Sequence, residues 1–376
     1  MNFFARFDPL FKMLPEIKAP EKAPPLSKKL LWTSAILLIF FIMGEIQVLG
    51  LDAAKAGPLL ALQQILASKI GTLITAGIGP IVLASIILQL LVGAKILPFD
   101  LSKKEDKARF SSLQKMLAII MSFFEAAIYT FSGLLIPLPG MFIWVVLQVA
   151  LGSIILLYLD EVTSKYGIGS GISLFIAAGV SQEILWRIFA PYLSTPTGIV
   201  EGILSQFIGS FSTGINFLLL VPIIATIAVF FVVVYFEGIH VNIPIAIGAK
   251  GFGGRFPVKF LYVSNLPVIL AVALFANIQL WSIMTAKIPI IGAFFGAIAY
   301  LTTSPFGLLE KVALQVGATG LNGFMIMGPD ILQALAYLAI LVAACVVFGK
   351  FWVEMAGQGP SAVAAQLDNS GMYVPG

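Results

Sequence analysis

Gly71-Thr72-Leu73-Ile74-Thr75-Ala76-Gly77-Ile78-Gly79-Pro80-Ile81-Val82 runs on to Gln89-Leu90-Leu91-Val92-Gly93 without one charged side chain. A helix rises 1.5 Å per residue, so about 20 apolar residues cross the roughly 30 Å of a bilayer's hydrocarbon. Residues 76–94 are predicted to do so, and Gly79-Pro80 is no obstacle, because Gly and Pro are common in membrane helices. Working outward, the same reading predicts seven further spans: 30–49, 116–136, 141–159, 170–190, 214–236, 262–282 and 331–353. Pro222 and Pro267 sit inside two of them.

The composition agrees. Of 376 residues, 59% are apolar and 11% charged, where a soluble domain carries about 25% charge. A soluble chain of this length cannot hide that much apolar surface, so the fold class is an all-α polytopic membrane protein. Cys345 is the lone cysteine, which excludes a disulfide scaffold, and His240 is the lone histidine, which argues against a metalloenzyme. Residues 1–29, with Pro9, Pro15, Pro20 and Pro24, are too long and polar for a signal peptide and read as a cytosolic segment.

Loop charge sets the direction. With the N-terminus in the cytosol, segments 1–29, 95–115, 160–169, 237–261 and 350–376 lie inside. Of the 22 Lys and Arg, only Lys55, Lys69, Arg187, Lys287 and Lys311 then fall outside, as the positive-inside rule requires.

Two stretches do not span. Within 50–75, Leu59-Leu60-Ala61-Leu62-Gln63-Gln64-Ile65-Leu66-Ala67 is apolar and helix-like but too short to cross. It is either packed inside protein or an outer surface helix. On the inner side, Ile239, Val241, Ile243, Ile245 and Ile247 alternate with His240, Asn242, Pro244 and Ala246, a glycine-rich run follows, and Phe256, Val258 and Phe260 alternate again. Period-two alternation around glycines predicts a β-hairpin, its edges guarded by Pro244 and Pro257. Such a hairpin serves either as a docking surface or as a stiff connector.

The chain carries no phosphate loop, no H-E-x-x-H, no Ser/His pair and no paired intramembrane Asp, so an enzyme is not expected and no cofactor or metal is implied. Glu125 is the ionisable residue at membrane depth, in the third span. Such a group serves a proton relay, a gate, or a polar contact between helices. Asn277, Gln279 and Ser85 are its candidate partners. Glu183 and Arg187, four apart, read as a local ion pair. Ile78 and Val82 are four apart, as are Ile172 and Ile176, so each pair shares a helix face. These faces form either an apolar constriction that gates by dewetting or ordinary packing knobs. A secondary transporter with inverted repeats and a Glu125 relay, and a non-conducting scaffold, are the alternatives to a pore.

Several stretches are more specific. Residues 71–93 resemble the first signature of the SecY family, the pore subunit of the Sec protein-conducting channel. Tyr158-Leu159-Asp160-Glu161, Lys165-Tyr166-Gly167-Ile168-Gly169-Ser170-Gly171-Ile172 and the following 174–182 resemble its second. Tyr262-Val263-Ser264-Asn265-Leu266-Pro267-Val268-Ile269-Leu270 and Ala276-Asn277-Ile278-Gln279-Leu280-Trp281 resemble its seventh helix, closest in wording to the archaeal and eukaryotic-like branch.

The resemblance implies a clamshell of two pseudo-symmetric helix bundles: residues 30–200 as the N-terminal half, 201–353 as an incomplete C-terminal half, and 354–376 as the start of a cytosolic loop, without the family's last two helices. It implies a pore ring of Ile78, Val82, Ile172, Ile176 and Ile269. It implies a plug over 59–67, with Leu59, Leu60, Leu62, Ile65 and Leu66, and a polar gate cluster of Glu125 and Asn277, with Ser85 in place of the family Thr where this chain has Leu83. The second and third spans would face the seventh and eighth across a lateral gate. Lys250, Arg255 and Lys259 on the hairpin would meet a ribosome or another cytosolic partner. Small γ-type (SecE) and β-type membrane subunits, signal sequences, nascent polypeptides and the bilayer complete the implied partners, in the plasma membrane of a prokaryote, archaeal by the wording.

Overall fold

A backbone in hydrocarbon has no water to bond, so each apolar segment satisfies its own N–H and C=O groups as a helix. The computed structural model describes residues 14–52, 69–93, 96–97, 99, 104–195, 198–212, 214, 217–247, 252–261, 263, 266–286, 288–305, 308, 311–312, 315, 325–355, 359–369 and 372–373. In chain order the elements are α1 (Leu26–Glu45), α2 (Gly79–Gly93), α3 (Lys104–Phe131), α4 (Phe142–Tyr166) and α5 (Gly171–Phe189), then β1 (Leu193–Thr195), β2 (Gly198–Val200), α6 (Ile203–Gly209) and α7 (Val221–Gly238). The hairpin β3 (His240–Ile247) and β4 (Phe252–Lys259) follows, then α8 (Leu266–Thr285), α9 (Pro289–Thr302), α10 (Gly328–Met355), α11 (Pro360–Asn369) and β5 (Met372–Tyr373). Among the described residues α1, α3, α4, α5, α7, α8 and α10 are long and apolar enough to cross a membrane.

The second predicted span takes a different form. The helix starts at Gly79 and has 15 residues, about 22 Å of rise. Residues 69–78 ahead of it are irregular. Gly71 and Gly77 sit at φ +88° and +54°, in the left-handed region that favours glycine. Their backbone is satisfied locally: Thr72 Oγ1 donates to Lys69 O at 2.7 Å, Thr75 Oγ1 to Thr72 O at 2.5 Å, and the Gly71 N–H to Thr75 Oγ1 at 3.0 Å. Thr72, Ile74, Thr75, Ala76 and Ile78 are all buried, so irregular backbone is tolerated here because protein surrounds it. α4 leans directly on it. A Cβ on Gly152 would lie 1.8 Å from the Leu73 carbonyl oxygen.

α9 was not among the predicted spans. Its 14 mostly apolar residues begin with Pro289 in the first turn and pack on α8 and α10. It is too short to cross, so a length criterion passes over it.

The chain forms two compact units: Met1–Ile176 with Asn265–Met355, and Ala177–Ser264 with Ala356–Gly376. The first has a core where α3 meets α4, built on Ala126, Tyr129, Leu135, Val145, Val149 and Leu280. Gln148 ties α4 to the end of the α1 region, its Oε1 accepting the Leu49 N–H and its Nε2 donating to Leu49 O, both at 3.0 Å. In the second unit β3 and β4 pair antiparallel from His240↔Lys259 to Ile247↔Phe252, as the alternation predicts. β5 adds a third strand on the other side of β3, through Ala246↔Tyr373 and Ile247↔Met372. This edge of β3 is therefore covered by the chain itself just past Pro244.

Candidate functional site

Ile78 is the residue at which the irregular segment turns into α2. Its carbonyl accepts the Ile81 and Val82 N–H groups at 3.1 and 3.0 Å, so Ile78 opens the helix and Val82 lies one turn on. Both are fully buried, at 1% and 2% exposure. The start of α2 is pinned from α4, where Ser153 Oγ donates to Gly77 O at 3.2 Å. Ile269 lies near the start of α8, half-buried, and α8 packs against α2.

Ile172 and Ile176, also half-buried, share one face of α5. Their helix is placed by its own first turn. The Ile172 N–H donates to Asp160 Oδ1 at 2.9 Å, which makes an acidic side chain at the end of α4 the partner of a donor that α5 leaves open. Between Ile172 and Ile176, Phe175 is buried and stacks on Phe40 of α1, ring centroids 5.1 Å apart.

Glu125 is buried in α3, and among the described residues neither carboxylate oxygen has a hydrogen-bond partner. Asn277, also buried, donates to Ala273 O of its own helix at 3.0 Å. Ser85 Oγ accepts from Gln89 Nε2 at 3.1 Å and from Gln114 Nε2 at 3.2 Å, which joins α2 to α3. Glu125, Asn277 and Ser85 therefore serve three separate local environments, and no hydrogen bond runs from Glu125 to the other two.

On the hairpin, Arg255 stands opposite Pro244 and Lys259 opposite His240. Both are exposed, and a spacing of four puts them on one face of β4. Lys250 and the plug residues Leu59, Leu60, Leu62, Ile65 and Leu66 lie outside the described residues. Glu183 and Arg187 pair at 2.6 Å, as their spacing predicts.

Sequence reasoning missed a cluster at the far end of α3 and α4. Glu161 is held between Lys115 and Lys165, each at 2.9 Å, and is 14% exposed. Residues 15–18 lie across this pair: the Ile17 N–H donates to Glu161 Oε1, Lys165 Nζ to Ile17 O, and Tyr166 Oη to Lys18 O. A polar cavity of about 390 Å³ opens beside it, lined by Glu16, Ser112, Lys115, Asp160 and Lys165 among others. Only the four-residue spacing of Glu161 and Lys165 hinted at it.

The family model described as SecY matches residues 72–376. The protein translocase subunit SecY of Methanothermobacter thermautotrophicus is 43% identical over 99% of this chain and 82% of its own. Among solved structures, one described as a protein conducting channel has a TM-score of 0.80 at 44% identity, covering 97% of this chain and 81% of that one. Sec61 in the canine ribosome-channel complex from the endoplasmic reticulum has a TM-score of 0.77 at 44% identity, covering 95% and 80%. A structure concerned with the SecY plug domain, described as stabilising the closed state and maintaining a membrane seal, has 0.79 at 43%, covering 97% and 81%.

Proposed function

The chain belongs to the SecY family, and we propose from this that it is the pore subunit of a protein translocation channel, passing unfolded polypeptides across the membrane and releasing apolar segments sideways into lipid. It is a multi-pass membrane protein, and the channel reading takes precedence over an inverted-repeat transporter. The observation that carries it is the likeness over nearly the whole chain to a translocase subunit and to a protein conducting channel.

Within that reading, Ile78, Val82, Ile172, Ile176 and Ile269 form the apolar ring, which passes a chain but not hydrated ions. The burial of Ile78 and Val82 at the break of α2 supports this. Residues 59–67 act as the plug that seals the idle pore. Glu125, Asn277 and Ser85 are gate residues of α3, α8 and α2 respectively. The hairpin, with Lys250, Arg255 and Lys259, meets the ribosome or another cytosolic partner. The likeness to Sec61 in a ribosome complex supports the ribosome. Small SecE-type and β-type subunits brace the two halves, 30–200 and 201–353. The N-terminus is cytosolic, in the plasma membrane of an archaeal cell. The driving energy comes from the partner, not from this chain.

The test is reconstitution with its partner subunits in lipid vesicles. Ribosome-fed polypeptide should become protected from added protease, and dissipating a proton gradient should leave the transfer intact. Absence of protected polypeptide, or strict dependence on the gradient, overturns the reading. Removal of 59–67 should raise ion leak and spare membrane insertion.

A further inference from the structure

The far end of α2 meets α10. Gly93 is the last residue of α2, and a Cβ built there would lie 2.6 Å from both Cδ1 and Cε1 of Phe351. Real Cβ atoms do not come this close to a ring, so the Phe351 ring rests on bare glycine backbone. Gly93 also continues a stripe. Val82, Ile86 and Gln89 precede it at helical spacing, and all three are buried at 1–2% exposure. One face of α2 thus runs from the constriction residue Val82 to the ring of Phe351. A glycine of α10 itself behaves differently. A Cβ on Gly349 would meet Pro267 of α8 at 3.6 Å, an ordinary contact that leaves room for a methyl.

We propose that Gly93 and Phe351 form the latch of the seam between α2 and α10, and that the bare backbone at residue 93 sets how apolar a segment must be before it leaves through that seam into lipid. The inference rests on the channel reading. The closed seam is held by ring atoms packed at van der Waals distance on the α2 backbone, a contact that any added atom forfeits. A departing segment must lift the ring and supply apolar contacts in its place. The equilibrium between shut and parted seam therefore decides which segments leave, and it shifts by whatever free energy separates the two states. A methyl at residue 93 clashes only in the shut state. It lowers the apolarity required, while polypeptides that run straight through the pore are untouched.

The experiment uses the full chain with its partner subunits in vesicles, and test polypeptides carrying one segment of graded apolarity. Protease protection separates segments left in the bilayer from those fully translocated. Gly93→Ala should raise the bilayer-to-lumen ratio of marginal segments on the order of tenfold, the scale of a strained core methyl. Phe351→Ala should raise it as well. The double variant should match Phe351→Ala alone, because the methyl then meets empty space. Gly349→Ala should behave as the parent. A polypeptide with no apolar segment should cross equally in all four. Parent-like behaviour of Gly93→Ala, or effects of Gly93→Ala and Phe351→Ala that add in full, overturns the latch. Should Gly93→Ala fail to accumulate folded, rescue by Phe351→Ala supports the same contact and failure to rescue refutes it. If the parent itself passes no polypeptide, the channel reading falls, and the latch with it.

Discussion

The Asp160 carboxylate accepts the Ile172 backbone N–H at 2.9 Å, so the end of α4 caps the helix that carries two of the five proposed ring residues. The approach is close. A Cβ on Gly171 would lie 2.5 Å from the Asp160 Cα, so glycine is required for the two helices to meet. Asp160→Ala should cost about 1 kcal/mol, the usual worth of a helix N-cap, and Asp160→Asn less. Gly171→Ala should cost more, about 1–3 kcal/mol as overpacking against backbone. Thermal unfolding in detergent gives both values, and equal stability for Gly171→Ala and the parent would show that the capping turn is not closely held.

The chain's ion pairs divide by burial. Lys115 and Lys165 flank Glu161, which is 14% exposed, whereas Glu45 and Lys69 pair at 2.7 Å with side chains 69% and 47% exposed. Exposed pairs are worth about 0–1 kcal/mol, but breaking a mostly buried one strands its partners. Glu161→Gln should therefore destabilise by on the order of 1–3 kcal/mol and free residues 15–18 for proteolysis. Lys69→Ala should change stability by roughly 0.5 kcal/mol or less. Similar losses for both would mean that residues 15–18 add nothing to the Glu161 cluster.

How far these features could be read from sequence follows from their range. The long spans were legible because hydropathy and bilayer thickness are local requirements. The hairpin was legible because alternation is local too. The break of α2 was written in Gly77 and Gly79-Pro80, but glycine and proline are so ordinary in membrane helices that they gave no warning. What settles the break is Gly152 against Leu73, two residues far apart in sequence. Lys115 and Glu161 were illegible for the same reason, while Glu161 and Lys165, four apart, could have been paired by spacing. Glu125 was singled out for its depth in the third span and is buried in the fold, and no hydrogen bond joins it to Asn277 or Ser85. Asn277 spends its amide on its own helix, and Ser85 is taken up by Gln89 and Gln114. Which of several nearby polar groups will bond depends on packing, and no single-chain pattern encodes that.

Arg255 and Lys259 lie exposed on one face of β4. Attraction between such a face and an RNA-rich surface is electrostatic and fades with added salt. Reversing both charges to Glu should weaken ribosome co-sedimentation several-fold at low salt and much less at high salt. Including Lys250 should deepen the loss. Binding that ignores both the charges and the salt would leave the hairpin as a connector.

Glu125 separates a channel from a relay. Its two oxygens are buried without hydrogen-bond partners among the described residues, so Gln in its place keeps the shape and removes the carboxyl. A carboxyl buried without a partner costs free energy rather than supplying any, so its replacement by an amide of the same shape removes no stabilising contact. Glu125→Gln should leave thermal stability equal or higher, and polypeptide transfer within about twofold of the parent, since no partner is lost. A proton-coupled transporter would lose its activity outright. Loss of transfer in a folded Glu125→Gln chain would reopen that alternative.

The sharpest test falls on Ile78 and Val82. Both are buried, one turn apart at the start of α2. If they form the constriction, their apolarity is what keeps the idle pore dry, because water withdraws from a narrow apolar neck and ions cannot shed their hydration there. Val82→Thr preserves shape and introduces one hydroxyl, at a cost of about 1–3 kcal/mol if it stays unpaired. Ile78→Asn introduces both a donor pair and an acceptor. Each gives water a foothold, so ion leak from vesicles holding the idle channel should rise in the order parent, Val82→Thr, Ile78→Asn, and most in the double variant. A mere packing role predicts another pattern: lowered melting temperature in the same order with no leak. Measuring leak and melting on the same preparations separates the two. Leak that stays at the parent's level in variants that remain folded would place the constriction elsewhere.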